Sequence, residues 1–145
     1  MTWQTELPWG QHMSDFFEWD AGKFGLGIDK IDDEHQQIIA AMNDLHRAYE
    51  AKAPRARLAE AIERLKKVTV VHFKDEEAYM EKLGYPDLRK HRHMHQHLLD
   101  RLETFVTAFR ASGVLTDDLF LFLKMWLKSH ICGIDTQYAK HAHAA

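Results

Sequence analysis

Four stretches of this sequence carry large side chains spaced alternately three and four residues apart, and each of these stripes contains a histidine. That spacing puts residues on one face of an α-helix, whereas a strand needs strict alternation. Positions 35, 38, 42, 45 and 49 read His, Ile, Met, Leu, Tyr, and positions 58, 62, 65, 69, 72 and 76 read Leu, Ile, Leu, Thr, His, Glu. Positions 91, 95, 98, 102, 105 and 109 read His, His, Leu, Leu, Phe, Phe, and positions 119, 123, 126 and 130 read Leu, Leu, Trp, His. A helix buries its apolar stripe. The chain therefore commits imidazoles and a carboxylate to the inside of a helical assembly.

Punctuation residues set the expected boundaries. A first helix runs from about Asp33 to Glu50, and Pro54 serves as a first-turn proline for a second, Arg55 to Leu83. Gly84 and Pro86 stop it, a third runs from Leu88 to Ser112, and Gly113 ends that one. Thr116 reads as the N-cap of a fourth, with Asp117 and Asp118 in its first turn and its end near Cys132. Short connections between four helices predict an all-α fold, an up-down-up-down antiparallel four-helix bundle. Residues 1–32 hold Gly10, Gly22, Gly25 and Gly27 with Trp3, Trp9 and Trp19, and show no sustained period. They read as an irregular N-terminal arm whose aromatics lie on another surface. Residues 133–145 read as a C-terminal segment ending in a disordered tail that carries His141 and His143. The whole, 1–145, is expected to be one domain.

Helical phase divides the run "KHRHMHQHLL" at 90–99. His91 and His95 continue into Leu98, Leu102 and Phe105, and so face the core. His93 and His97 continue into Asp100 and Thr104, and so face water. The chain holds 11 histidines and one cysteine, Cys132, which excludes an intrachain disulfide. Cys132 is expected to be a small core residue. A net charge of −3 gives no bulk attraction to nucleic acid. No basic n-region with an apolar run and no membrane-length apolar segment is visible, so a cytoplasmic protein is expected.

In an antiparallel bundle the first and third helices run one way, the second and fourth the other. His35, His91 and His95 lie at helix starts; His72, Glu76 and His130 lie near helix ends. All of them therefore fall at one end of the bundle. A single buried histidine needs only a local hydrogen bond, but a group of five with carboxylates needs a shared partner, and a metal supplies one. Asp135 lies five residues after His130, about 140° away on a regular helix. It joins the set only if the helix ends or distorts, and Gly133 offers a break.

Five histidines and two carboxylates exceed what one tetrahedral zinc accepts, and suit two ions bridged by carboxylates. Imidazole with carboxylate fits iron, zinc, nickel or copper, so the residues leave the metal open. The pattern of four glutamates with Glu-x-x-His pairs found in ferritin-like bundles does not match.

The segments "DDEHQQI" (32–38), "HFKDEE" (72–77), "YPDLRKHRHMH" (85–95) and "HICGID" (130–135) resemble the bacterial hemerythrins, as do Trp19-Asp20 and "WLKSHI" (126–131). The resemblance spans roughly residues 17–138. It implies two iron ions with a bridging oxo or hydroxo group. His91, His95 and His130 would hold one iron, His35 and His72 the other, and Glu76 and Asp135 would bridge. It also implies reversible binding of O2 at the open position of the two-histidine iron. Trp126 and Ile131 are expected to line the O2 pocket. Glu77 is expected to be a surface or salt-bridge residue, and His12 and His46 have no supporting pattern.

The function expected from these residues is oxygen storage, delivery or transport without catalysis. An oxygen-consuming enzyme or redox protein could take the O2 as a partner. The alternatives are a sensor of O2 or redox state acting through a partner, and a di-iron enzyme acting on peroxide or NO.

Overall fold

The computed structural model of the chain describes residues 16–144, so the expectations for Trp3, Trp9 and His12 lie outside the described residues. The described elements are all helical: α1 (Ala21–Phe24), α2 (Asp29–Glu50), α3 (Arg55–Leu83), α4 (Leu88–Ser112), α5 (Asp117–Ser129), a π-helical segment (His130–Asp135) and α6 (Thr136–Ala144). Helices α2 to α5 form the expected up-down-up-down bundle. No helix among the described residues is long and apolar enough to cross a membrane.

The stripes explain the packing. On α3, Leu58, Ile62, Leu65, Thr69, His72 and Glu76 are all buried. On α2, His35, Ile38, Met42 and Leu45 are buried, and on α5, Leu119, Leu123 and Trp126. Leu45, Leu65 and Leu123 have no exposed surface and fill the apolar half of the bundle. Truncating any of them to alanine costs about 2–5 kcal/mol through lost burial and the cavity left behind. The turns follow their glycines: Gly84 and Gly113 end α3 and α4 in the left-handed region, at φ of 67° and 74°.

Several boundaries differ from the sequence expectation. The first bundle helix starts at Asp29, four residues before the expected Asp33, because Asp32 caps the preceding loop. Its carboxylate accepts the backbone N–H of Leu26 at 2.8 Å and of Gly27 at 3.2 Å. Within the expected irregular arm, Asp20 accepts from the Gly22 amide and opens the single turn α1. Pro54 is the N-cap of α3, one position before the expected first turn.

The largest correction is at the C-terminus. At Gly133 the helix distorts rather than ends, and the expected disordered tail is helical through Ala144. Helix α5 runs straight into the π-helical segment and on into α6. Tyr138 and Ala139 bury the first turns of α6, the His141 ring meets Tyr85, and His143 Nε2 donates to the Leu26 carbonyl at 2.9 Å. Periodicity in so short a segment was too weak to reveal a helix that docks through four side chains, Tyr138, Ala139, His141 and His143. Cys132 is exposed rather than in the core, with its thiol 3.7 Å from the Lys23 carbonyl.

Candidate metal centre

The bundle places all seven sequence-predicted residues in one buried cluster. His35 comes from α2, His72 and Glu76 from α3, His91 and His95 from α4, and His130 and Asp135 from the π-helical segment. None is more than 4 % exposed. Their ligand-capable atoms fall into two groups. Glu76, His91, His95, His130 and Asp135 form one, and His35, His72, Glu76 and Asp135 form the other.

The two carboxylates belong to both groups because each turns one oxygen to either side. Glu76 Oε1 lies 2.8 Å from His95 Nε2 and 3.2 Å from His91 Nε2, whereas Oε2 lies 3.2 Å from His72 Nε2. Asp135 Oδ1 lies 3.0 Å from His130 Nε2 and 3.1 Å from His91 Nε2, whereas Oδ2 lies 3.1 Å from His35 Nε2. Every one of the five imidazoles presents Nε2 to a carboxylate.

Asp135 reaches this position through the π-helical segment. A π-helix bonds i to i+5, so residues five apart share a face. His130 and Asp135 then point the same way, where a regular α-helix would separate them. A β-carbon on Gly133 would meet nothing within 4 Å, so no crowding at that residue produces the distortion.

The electrostatics follow from five bases around two acids in a dry site. Burial alone would lower the imidazoles, but Glu76 and Asp135 outweigh it. His72 is pushed up to about 9 and His130 to about 10, and His35 and His91 are raised. Burial alone would raise the carboxyls, but the imidazoles hold Glu76 well below the usual carboxylate range, His72 contributing most, and Asp135 is lowered mainly by His130. The charges nevertheless leave polar atoms unserved. His35 Nε2, His72 Nε2, His91 Nε2, Glu76 Oε1 and both Asp135 oxygens are buried without a hydrogen bond of good geometry. Orphaned buried groups of this kind are costly, and a cation among them would satisfy all six at once.

Residues 26–142 match the family model described as the Hemerythrin HHE cation binding domain. The chain belongs to the hemerythrin family. It is 36% identical over 119 residues to a bacteriohemerythrin of Stenotrophomonas maltophilia (strain R551-3), covering 82% of this chain and 77% of that protein. It is 33% identical over 122 residues to a myohemerythrin of Riftia pachyptila, covering 84% of this chain and 90% of the relative. Among solved structures, a wild-type hemerythrin crystal structure superposes with a TM-score of 0.79 at 30% identity, covering 86% of this chain and 95% of that one.

Within this hemerythrin fold, three further side chains hold the seven in place, and periodicity missed all of them. Glu34 Oε1 accepts from His72 Nδ1 at 2.8 Å, and Glu77 Oε2 accepts from His95 Nδ1 at 2.7 Å. An ionised carboxylate only accepts, so each bond fixes the ring proton on Nδ1 and leaves Nε2 to the cluster. One imidazole in each group is oriented this way. Glu77 also pairs with Arg92 at 3.0 Å, so the expected salt bridge exists, but the same carboxylate holds a core histidine. The third is Tyr138, whose hydroxyl donates to Glu76 Oε2 at 2.8 Å. Burial, then Glu76 and Asp135, raise the Tyr138 phenol and keep it a donor. The available signal for Glu34 and Glu77 was adjacency, since each sits next to a cluster residue in sequence, but only the neighbouring helix shows what it touches.

Aromatic side chains wall the cluster on one side. Phe73 stacks on His95 with ring centroids 3.8 Å apart, and Trp126 meets Phe73 edge-on at 6.0 Å. Trp126 and Ile131 are both buried. His93 and His97 are exposed, as helical phase required.

Proposed function

We propose that this protein binds O2 reversibly at a non-haem di-iron centre and serves to store, deliver or transport oxygen. The observation that carries the reading is the pair of ligand groups sharing Glu76 and Asp135. Two cations held by one shared pair of carboxylates need donors on both sides of each carboxylate, and both sides are supplied here. His91, His95 and His130 would hold one iron, and His35 and His72 the other. The two-histidine group has one donor fewer, so the vacancy for a small ligand falls there.

When bound, two irons supply the reversible electron transfer with which O2 is taken up and released. The chain's own part is to hold, orient and keep dry. Glu34 and Glu77 fix the rings of His72 and His95. Tyr138 fixes the Glu76 carboxylate on the two-histidine side. Phe73, Trp126 and Ile131 supply apolar walls that exclude water, which favours return of O2 over its loss as a reduced product. Trp126 and Ile131 remain the residues assigned to the O2 pocket. Among the described residues, Glu34, Glu77 and Tyr138 each bond a ligand residue of the cluster, a holding role that favours a carrier.

Metal analysis and rapid kinetics test this together. The purified protein is expected to contain two irons per chain, and its reduced form should change spectrum with O2 and revert when O2 is removed. A single zinc per chain, or steady consumption of O2 or peroxide at enzymatic rates, would overturn the reading.

A further inference from the structure

A groove of about 930 Å³ runs between α4 and α5, outside the metal cluster. Leu98 and Phe105 line it from α4, Leu121 and Met125 from α5, and Trp126 and His130 form its inner wall. Leu121 and Met125 are 60% and 61% exposed, two of the four large hydrophobic residues left exposed among the described ones. The other two, Val71 and Val114, stand singly, on α3 and in the turn before α5. Leu121 and Met125 are four residues apart and share one helix face. Single exposed hydrophobic residues need no partner, but an apolar pair bordering an apolar groove marks a contact surface.

Charge on this face is divided between its two ends. Asp118, Leu121, Met125 and Lys128 are spaced three, four and three residues apart, so they form one exposed stripe along α5. Asp117 and Asp118 stand at its start and Lys128 at its end. Asp118 and Lys128 make no ion pair among the described residues. Helix α4 extends the basic end. Phe105 meets Phe122 with ring centroids 5.4 Å apart, and the two helices run antiparallel. His97, eight residues before Phe105, is therefore level with His130, eight after Phe122. His97 and His93 both line the groove at that end.

We propose that this face pairs with the same face of a second copy of the chain, α5 against α5 in antiparallel order about a two-fold axis. A two-fold contact must be self-complementary, and this stripe is. Leu123 is the middle residue of α5. Asp118 and Lys128 each lie five residues from it, and Leu121 and Met125 each lie two. Antiparallel pairing at that level sets Asp118 of each copy towards Lys128 of the other, and Leu121 of each beside Met125 of the other. Parallel pairing would bring like charges together. An unrelated partner would need a base and an acid matched to both ends, whereas a second copy supplies both by symmetry. In the pair, Leu121 and Met125 of each copy cover the groove of the other and add an apolar layer outside Trp126 and His130. One helix of 13 residues with a flank from α4 makes a small interface, so the dissociation constant is expected on the order of 10 µM.

Sedimentation velocity of the full chain tests this, in reducing buffer so that Cys132 cannot link two copies. The native chain should pass from monomer to dimer as its concentration rises through the micromolar range. Leu121→Lys should weaken that step at least tenfold, and Val71→Lys, on another face, should leave it unchanged. The decisive arm is a charge exchange. Asp118→Lys and Lys128→Glu should each pair at least tenfold more weakly alone. Mixed in equal amounts, they should pair about as well as the native chain, because each then offers the other opposite charge at both contacts. Circular dichroism should show equal helix content in all variants. A native chain that stays monomeric at several hundred micromolar would overturn the proposal, as would a mixture no better than its components. A monomer that carries an organic molecule into native mass spectrometry would assign the groove to that molecule and overturn it too. None of these readouts depends on iron occupancy.

Discussion

His130 and Asp135 are five residues apart in sequence, yet His130 Nε2 and Asp135 Oδ1 are 3.0 Å apart in space. Only the π-helical segment His130–Asp135 makes this possible. Deleting Gly133 shortens that segment by one residue and favours an ordinary α-helix. Asp135 then swings away from the cluster, and one of the two shared carboxylates is lost. Metal content is expected to fall by at least half, measured by elemental analysis, with helix content by circular dichroism unchanged.

The alternating histidines provide a control built into one helix. His91→Ala and His95→Ala each remove a buried cluster nitrogen, and each is expected to abolish stoichiometric metal. His93→Ala and His97→Ala alter exposed side chains and should leave metal content and spectrum unchanged. Equal loss from all four would mean that the helical phase does not govern the site.

Glu77→Gln keeps the size of the side chain but removes the charge that holds His95 Nδ1. Loss of such an outer partner typically weakens metal binding about 10–100-fold. Competition with a chelator should show that weakening, and Glu34→Gln should do the same through His72. If both variants bind metal as tightly as the native chain, the two glutamates have no positioning role.

Tyr138→Phe removes the hydroxyl that donates to Glu76 Oε2. A hydrogen bond to a buried charged group contributes about 1.5–3 kcal/mol. Urea unfolding of the metal-free chain is expected to show a loss of that size.

The metal-free chain should lose stability in alkali. His72 and His130 are raised from 6.5 to about 9 and about 10. Their pairing with Glu76 and Asp135 therefore contributes fully below pH about 6.5 and is lost as pH rises through 9 to 10. The depressed carboxyls contribute above pH about 4 and lose their effect as pH falls. A cation needs the same Nε2 atoms unprotonated, so loading should release protons and move the stability maximum to higher pH. Thermal unfolding across pH 5–10, with and without metal, measures both shifts.

Local sequence carried much of the architecture. Stripes on α2, α3, α4 and α5 are periodic because each helix buries one face, and a histidine on such a stripe is buried whatever its partners are. His91 could therefore be separated from His93, and the convergence of His35, His72, His91, His95 and His130 at one end of the bundle followed from helix direction alone. Contacts across helices were not legible in that way. Glu34 and Glu77 belong to no apolar stripe, and their role exists only because α2 and α3 bring them against the imidazoles of α3 and α4. Tyr138 needed α6, a helix too short to announce itself, to reach Glu76. Asp135 needed a change of helical pitch that no three-or-four spacing encodes. Periodicity reports which face a residue occupies on its own helix. Which atom it meets on another is decided by packing.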